Sequence, residues 1–90
     1  MYYVYIFFSK KDNKFYTGCT NDLKDRIKRH NHGQVSTTKN MRPLYLFYYE
    51  ACLNKDDAYK REKYLKTAWG KRYIKNRLKN HLSSQICSMI

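Results

Sequence analysis

Ninety residues carry 19 Lys+Arg against 7 Asp+Glu, a formal net charge of +12, with 42% hydrophobic residues, one Pro and three Gly. A chain this short buries one modest core, which excludes two large domains and a deep chamber between them, so any chemistry sits on a shallow surface open to a large substrate. The hydrophobic content and the 17% aromatic share exclude intrinsic disorder. The charge calls for a polyanion: nucleic acid first, an anionic membrane second, an acidic protein third.

The apolar opening from Met1 to Phe8 is too short to span a bilayer and lacks the basic flank and cleavage site of a secretory signal, so a cytoplasmic protein is expected. Cys19, Cys52 and Cys87 are odd in number and widely spaced, with no Cys-x-x-Cys pair. They indicate neither a disulfide framework nor a zinc site and are expected to be buried or incidental thiols.

Residues 2–8 (YYVYIFF) are dense in aromatic and β-branched types, and SKKDN at 9–13 supplies turn residues before KFYT at 14–17, which predicts a β-hairpin ended by Gly18. Both faces of the first strand are apolar, so both should be covered. Thr20 or Asn21 can cap a helix expected over 21–30, with Asp22 in its first turn. The polar, basic stretch 31–43 has no periodicity and ends at Pro43, and it is expected to be a loop. Residues 44–51 (LYLFYYEA) predict a third strand. Asn54 followed by Asp57 resembles a capping box for a helix to about Lys66 or Trp69, after which Gly70 punctuates. A last helix over 71–82 would present Ile74, Leu78 and Leu82 on one side. The order β-β-α-β-α-α predicts an α+β fold, a small three-stranded antiparallel sheet flanked by helices, as one domain over 1–82 with a short tail, 83–90, expected to fray.

Several polar residues sit where core residues are expected. Leu23, Ile27 and His30 share a stripe of the first helix, with Arg26 at its border. Ala58, Glu62, Leu65 and Trp69 fall within an arc of about 60° on the second, which places Glu62 inward. An inward carboxylate needs a partner, and the plain one is Arg26 or a neighbouring Lys. A short hairpin turn can also bring Tyr5 and Tyr16 close. Taken singly, each of these residues is more often structural than chemical.

Together they carry a resemblance. Val4-Tyr5-Ile6, then Tyr16-Thr17-Gly18, then Arg26 and His30 one helical turn apart, and Glu62 on a later helix are similar to the GIY-YIG endonuclease family. FYTGCTNDLKDRIKRHN at 15–31 and REKYLKTAWGKRY at 61–73 resemble its small stand-alone members, which are similar to the nuclease domain of the excision-repair endonuclease subunit. Tyr3 replaces the leading Gly of the first triplet and Thr17 the Ile of the second, and neither change removes a catalytic candidate. A later Asn that family nucleases use near the metal could match Asn76.

The resemblance implies a metal-dependent endonuclease hydrolysing DNA, structure-selective and repair-related, with Tyr5, Tyr16, Arg26, His30, Glu62 and Asn76 catalytic. Glu62 would hold one Mg²⁺ or Mn²⁺, Tyr5 or Tyr16 would be the general base with phenolate favoured by the cation and Arg26, and His30 could relay the proton. Arg26 would grip a phosphate oxygen. Lys39 and Arg42, beside Ser36, Thr37 and Thr38, and Lys71, Arg72 and Lys75 would bind nucleic acid in a salt-dependent, largely sequence-independent way. The alternative is a nucleic-acid-binding module of the same fold that is inactive or needs a partner protein for targeting. A basic peripheral membrane protein fits less well, because the apolar side of the last helix is better used as core.

Overall fold

In a computed structural model, which describes residues 1–35 and 37–81, strand β1 (Tyr2–Ser9) lies between β2 (Lys14–Thr20) and β3 (Leu44–Cys52). It is antiparallel to both, in the sheet order β2-β1-β3. Helix α1 (Leu23–Asn31) follows β2, a 3-10 turn (Lys39–Met41) precedes β3, and α2 (Lys55–Leu65) and α3 (Ala68–Arg77) follow it. This is the α+β arrangement the sequence pattern predicts, and its apolar central strand accounts for the layering.

Alternation along β1 splits its side chains between two clusters. Val4 and Ile6 pack with Ala58, Leu65 and Ile74 under α2 and α3. Tyr5 and Phe7 face the other way and pack with Leu44, Leu23, Ile27, Met41 and Tyr16 under α1 and the segment before β3. Fully burying side chains of this size contributes about 1.5–3 kcal/mol each, so β1 anchors both layers.

Two short bonds hold the segment between α1 and β3 in place. The buried Ser9 hydroxyl donates to the Met41 carbonyl at 2.7 Å, and the Leu44 amide donates to Asn31 Oδ1 at 3.1 Å. The segment read as a plain loop is thus tied to β1 and to the end of α1.

Some boundaries differ from expectation. β2 runs through Gly18 to Thr20, because Gly18 stays in register opposite Tyr5. The cap of α1 is Asp22, whose carboxylate accepts from the Asp25 amide at 3.1 Å, while Thr20 accepts from the Asp22 amide. Asn54 caps α2 as expected, but that helix ends at Leu65. Thr67 starts α3, so Gly70 sits inside the helix and does not punctuate; a side chain there would strike the Tyr64 carbonyl and the Leu65 backbone, which lets α3 begin hard against the end of α2. Trp69, expected inward with Ala58 and Leu65, is 69% exposed because the break at Lys66 and Thr67 rotates it off that stripe. Ile74 is buried and Leu78 packs on the same cluster, as expected. Ser36, Leu82, Cys87 and the tail at 83–90 lie outside the described residues.

Candidate active site

Tyr5 sits at the centre of the sheet, opposite Gly18 on β2, and its ring fills the space a Gly18 side chain would need. The phenol therefore leans over β2, toward α1. There its oxygen accepts from Arg26 Nε at 3.3 Å and lies 3.2 Å from His30 Nε2. Arg26 and His30 are four residues apart on α1, which puts both over Tyr5.

The bonding fixes the tautomer of His30. The Thr38 hydroxyl donates to the Val35 carbonyl at 3.5 Å and so accepts from His30 Nδ1, which leaves Nε2 of the neutral ring bare to take the Tyr5 hydroxyl proton. The proton of neutral His30 is then on Nδ1 and donates to the Thr38 hydroxyl at 2.7 Å. Burial, aided by the Arg26 charge, lowers the His30 pKa to about 4, so the ring is neutral at pH 7. Burial also raises the Tyr5 pKa. Arg26 opposes that rise through its hydrogen bond and charge but does not overcome it, so Arg26 without the expected cation does not favour a Tyr5 phenolate.

Tyr16 lies on the same sheet face, opposite Phe7, with its ring centroid 5.4 Å from that of His30. It is half-buried, whereas Tyr5 is fully buried. The expected closeness of the two tyrosines is met diagonally: Tyr5 pairs with Gly18 and Tyr16 with Phe7.

Glu62 comes from α2, in the other layer. Helix α2 packs on β1 and edge strand β2, and the Glu62 charge acts on both Tyr5 and the Cys19 thiol. Glu62 is 17% exposed and pairs with Lys66 at 3.1 Å, the neighbouring-Lys partner, and not with Arg26. Among the described residues no group of three or more His, Cys, Asp or Glu clusters as a metal site, so a cation here would rest on Glu62 with water and substrate. Asn76 is exposed on α3, two positions past buried Ile74. No hydrogen bond joins it to Tyr5, Arg26 or His30 among the described residues.

The basic candidates divide. Lys39 and Arg42 are exposed before β3, with Arg42 Nε donating to the Lys39 carbonyl at 2.9 Å. Lys71 and Lys75 join Lys14 around a cleft floored by Ile6, Phe15 and Phe47, on the sheet face opposite Tyr5. Arg72 stacks over Trp69 at 5.1 Å. Arg61 is no solvated cation: it forms a two-pronged ion pair with Glu50 of β3, at 2.9 Å from both Nε and Nη2. Cys19 and Cys52 are unpaired and half-buried.

Sequence reasoning missed Thr38 as a site residue. Ser36, Thr37 and Thr38 read only as polar neighbours of Lys39 and Arg42, and nothing in their spacing announces that one hydroxyl turns inward to a histidine eight residues back.

Comparison with known proteins agrees with this geometry. The GIY-YIG catalytic domain matches residues 1–74. The chain is 46% identical over 67 residues to a UPF0213 protein of Clostridium perfringens, spanning 73% of this chain and 71% of the relative. It is 37% identical over 81 residues to a UPF0213 protein of Pediococcus acidilactici, spanning 83% and 82%. The UPF0213 protein YazA of Bacillus subtilis is 44% identical over 57 residues, spanning 62% and 58%. No solved structure gives a significant match. Among the described residues no helix is long and apolar enough to cross a membrane.

Proposed function

The chain belongs to the GIY-YIG family of nuclease catalytic domains, which act on nucleic acid and generally use a divalent metal, and from that premise we propose that it is a metal-dependent endonuclease that hydrolyses phosphodiester bonds in DNA. Structure selectivity, a repair-related role in the cytoplasm and a nuclease unit spanning 1–82 are parts of the same proposal. The observation that carries it is the Tyr5 hydroxyl held between Arg26 and His30, with Tyr16 on the same face and Glu62 acting across the strand edge. A pure binding module has no physical need for that arrangement.

Glu62 suits a hard cation such as Mg²⁺ or Mn²⁺: it is an oxygen donor at the rim, and its partner Lys66 is more than half exposed and free to swing away. Bound there, such an ion would supply positive charge for the phosphodiester and for the attacking water. The chain's own residues supply the rest. Tyr16, the one of the two tyrosines with exposed surface, meets the substrate and, once its own phenolic proton has left to solvent, accepts the water proton as a phenolate. Arg26 interacts electrostatically with both tyrosines and stabilises negative charge on either oxygen. Its Nε is committed to Tyr5, leaving the terminal nitrogens for a phosphate oxygen. Tyr5 is a positioning residue, fixing Arg26 and His30. Neutral His30, its Nε2 taken by the Tyr5 hydroxyl and its Nδ1 by Thr38, packs its ring beside that of Tyr16 and holds Tyr5 in place. Lys39, Arg42, Lys71, Arg72 and Lys75 hold the polyanion by charge, and a partner protein would add targeting.

The test is cleavage of labelled plasmid, flap, branched and single-stranded DNA with Mg²⁺ or Mn²⁺, comparing wild type with Glu62→Ala and Tyr16→Phe. Metal-dependent nicking that both variants lose, with DNA binding retained, supports the proposal. A folded wild type that binds but cuts none of these substrates overturns it in favour of a binding module or a partner-dependent enzyme.

A further inference from the structure

A second cleft, of about 310 Å³, opens between the start of β1, the end of β2 and the first two turns of α2. Its lining is Tyr2, Cys19, Thr20, Asn21, Lys55 and Tyr59: hydroxyls, an amide, a thiol and one ammonium, with no carboxylate. Lys55, Tyr59, Glu62 and Lys66 succeed one another at spacings of four, three and four, so they form a single stripe along α2. Lys55 and Glu62 are seven residues apart, about 10 Å along the axis, which sets the cleft next to the reacting phosphate and not upon it.

Lys55 is an unusual residue for its position. It opens α2, where the positive end of the helix disfavours a cation, and Asp56 and Asp57 on the same turn do not line the cleft. Among the described residues no ion pair engages it, and its ammonium stands 5.7 Å from the centre of the Tyr59 ring. Cys19 lines the cleft with Lys55 and Tyr59, and Tyr59 stands one helical turn before Glu62 on α2. The carboxylate thus stands one turn beyond the Tyr59 wall of the cleft, with Lys55 at the far end.

We infer that this cleft holds the nucleotide unit adjoining the bond to be cut, its phosphate on Lys55 and its sugar and base against Tyr59 and Tyr2. This rests on the nuclease proposal and deepens it by naming a substrate subsite. An ammonium suits a phosphate as a point charge, an exposed phenol ring offers a stacking face to any base, and the hydroxyls of Tyr2 and Thr20 with the Asn21 amide meet the polar edges of sugar and base. The subsite therefore fixes the position of the strand without selecting its sequence.

The experiment is fluorescence anisotropy with a labelled 12-nucleotide DNA strand in EDTA, over a salt series, for wild type, Lys55→Ala, Lys55→Arg, Tyr59→Ala and the exposed off-stripe control Lys60→Ala. Lys55→Ala should weaken binding about fivefold or more and flatten the plot of log K against log salt by about one unit, with Arg restoring the slope. Tyr59→Ala should weaken binding at unchanged slope, and in cleavage assays the Lys55→Ala loss should fall on KM. Equal losses for Lys55→Ala and Lys60→Ala would show a diffuse field and overturn the subsite. So would amide shifts on titrating the dinucleotide pTpT into labelled protein that bypass Thr20, Asn21 and Lys55. Binding is read without metal, so a protein that uses the cleft but never cuts refutes the nuclease proposal alone, and one that cuts while ignoring Lys55 refutes the subsite alone.

Discussion

The Tyr5 ring occupies the space that a side chain at Gly18 would fill. The two residues are direct cross-strand partners, and the bare glycine lets the phenol lean over β2 to reach Arg26 and His30. Gly18→Ala should therefore displace a rigid, fully buried ring, costing about 1–3 kcal/mol of stability by overpacking and breaking both bonds to the Tyr5 oxygen. Urea unfolding and nicking assays check this. An unchanged unfolding midpoint with full activity would show that the ring has another place to go.

Thr38 fixes the orientation of His30 from outside the set of residues the motif supplies. Its hydroxyl takes the Nδ1 proton, which leaves Nε2 bare toward Tyr5. Thr38→Val keeps the shape and removes the acceptor, so a buried donor goes unpaired at a cost of about 1–3 kcal/mol. Cleavage should fall roughly tenfold, through kcat rather than KM, a size in keeping with losing part of a proton-transfer arrangement. Thr38→Ser should restore both stability and cleavage. Nitrogen-15 shifts of His30 give a second readout: the wild type should show protonated Nδ1, and the valine variant a mixture of tautomers.

Much of this arrangement was legible in the sequence because local periodicity carries it. Strand alternation put Tyr5 and Tyr16 in play, and helical spacing put Arg26 and His30 on the border and inward stripe of α1. The inward stripe of α2 gave Glu62 its largely covered position, but the same arithmetic placed Trp69 beside it, and the chain break at Lys66 and Thr67 exposed that ring instead. What periodicity could not reveal were contacts between distant segments. Thr38 reaches His30 only because Ser9 and Asn31 anchor its segment, and the role of Gly18 depends on what stands opposite it. Lys71 and Lys75 read as one basic surface with Lys39 and Arg42, but no one-dimensional pattern tells which sheet face a lysine joins.

The ion pair between Arg61 and Glu50 ties α2 to β3 and so holds the element that carries Glu62. Burial alone would raise the Glu50 carboxyl pKa, but donors from Arg61 and Tyr48 overcome it and hold the carboxyl below its ordinary range. Arg61→Ala should cost about 1–3 kcal/mol, since it strips charge-assisted bonds from a half-buried carboxylate and removes a cation packed on Tyr73 at 4.5 Å. The Glu50 contribution is present above the ordinary carboxylate range and is lost as pH falls through the depressed value. The variant's stability should therefore fall less steeply in acid than the wild type's. Thermal unfolding at pH 7 and pH 3.5 distinguishes this from a simple loss of packing.

His30 should impose its own pH dependence in a separate window. In the folded chain it titrates near 4, and unfolded it returns to its ordinary value of 6.5. Between those values the unfolded state binds a proton that the folded state refuses, so stability rises with pH across the window and is lost as pH falls from about 6.5 toward 4. A shift of this size corresponds to up to about 3 kcal/mol. Urea midpoints from pH 7.5 down to 4.5 sample most of the window while staying above the titration of Glu50. The wild-type midpoint should decline steadily, and His30→Gln, which cannot charge, should flatten that decline even if it starts from a lower midpoint. A wild type whose midpoint holds constant down to pH 4.5 would mean that the imidazole accepts its proton without disturbing Tyr5 and Arg26.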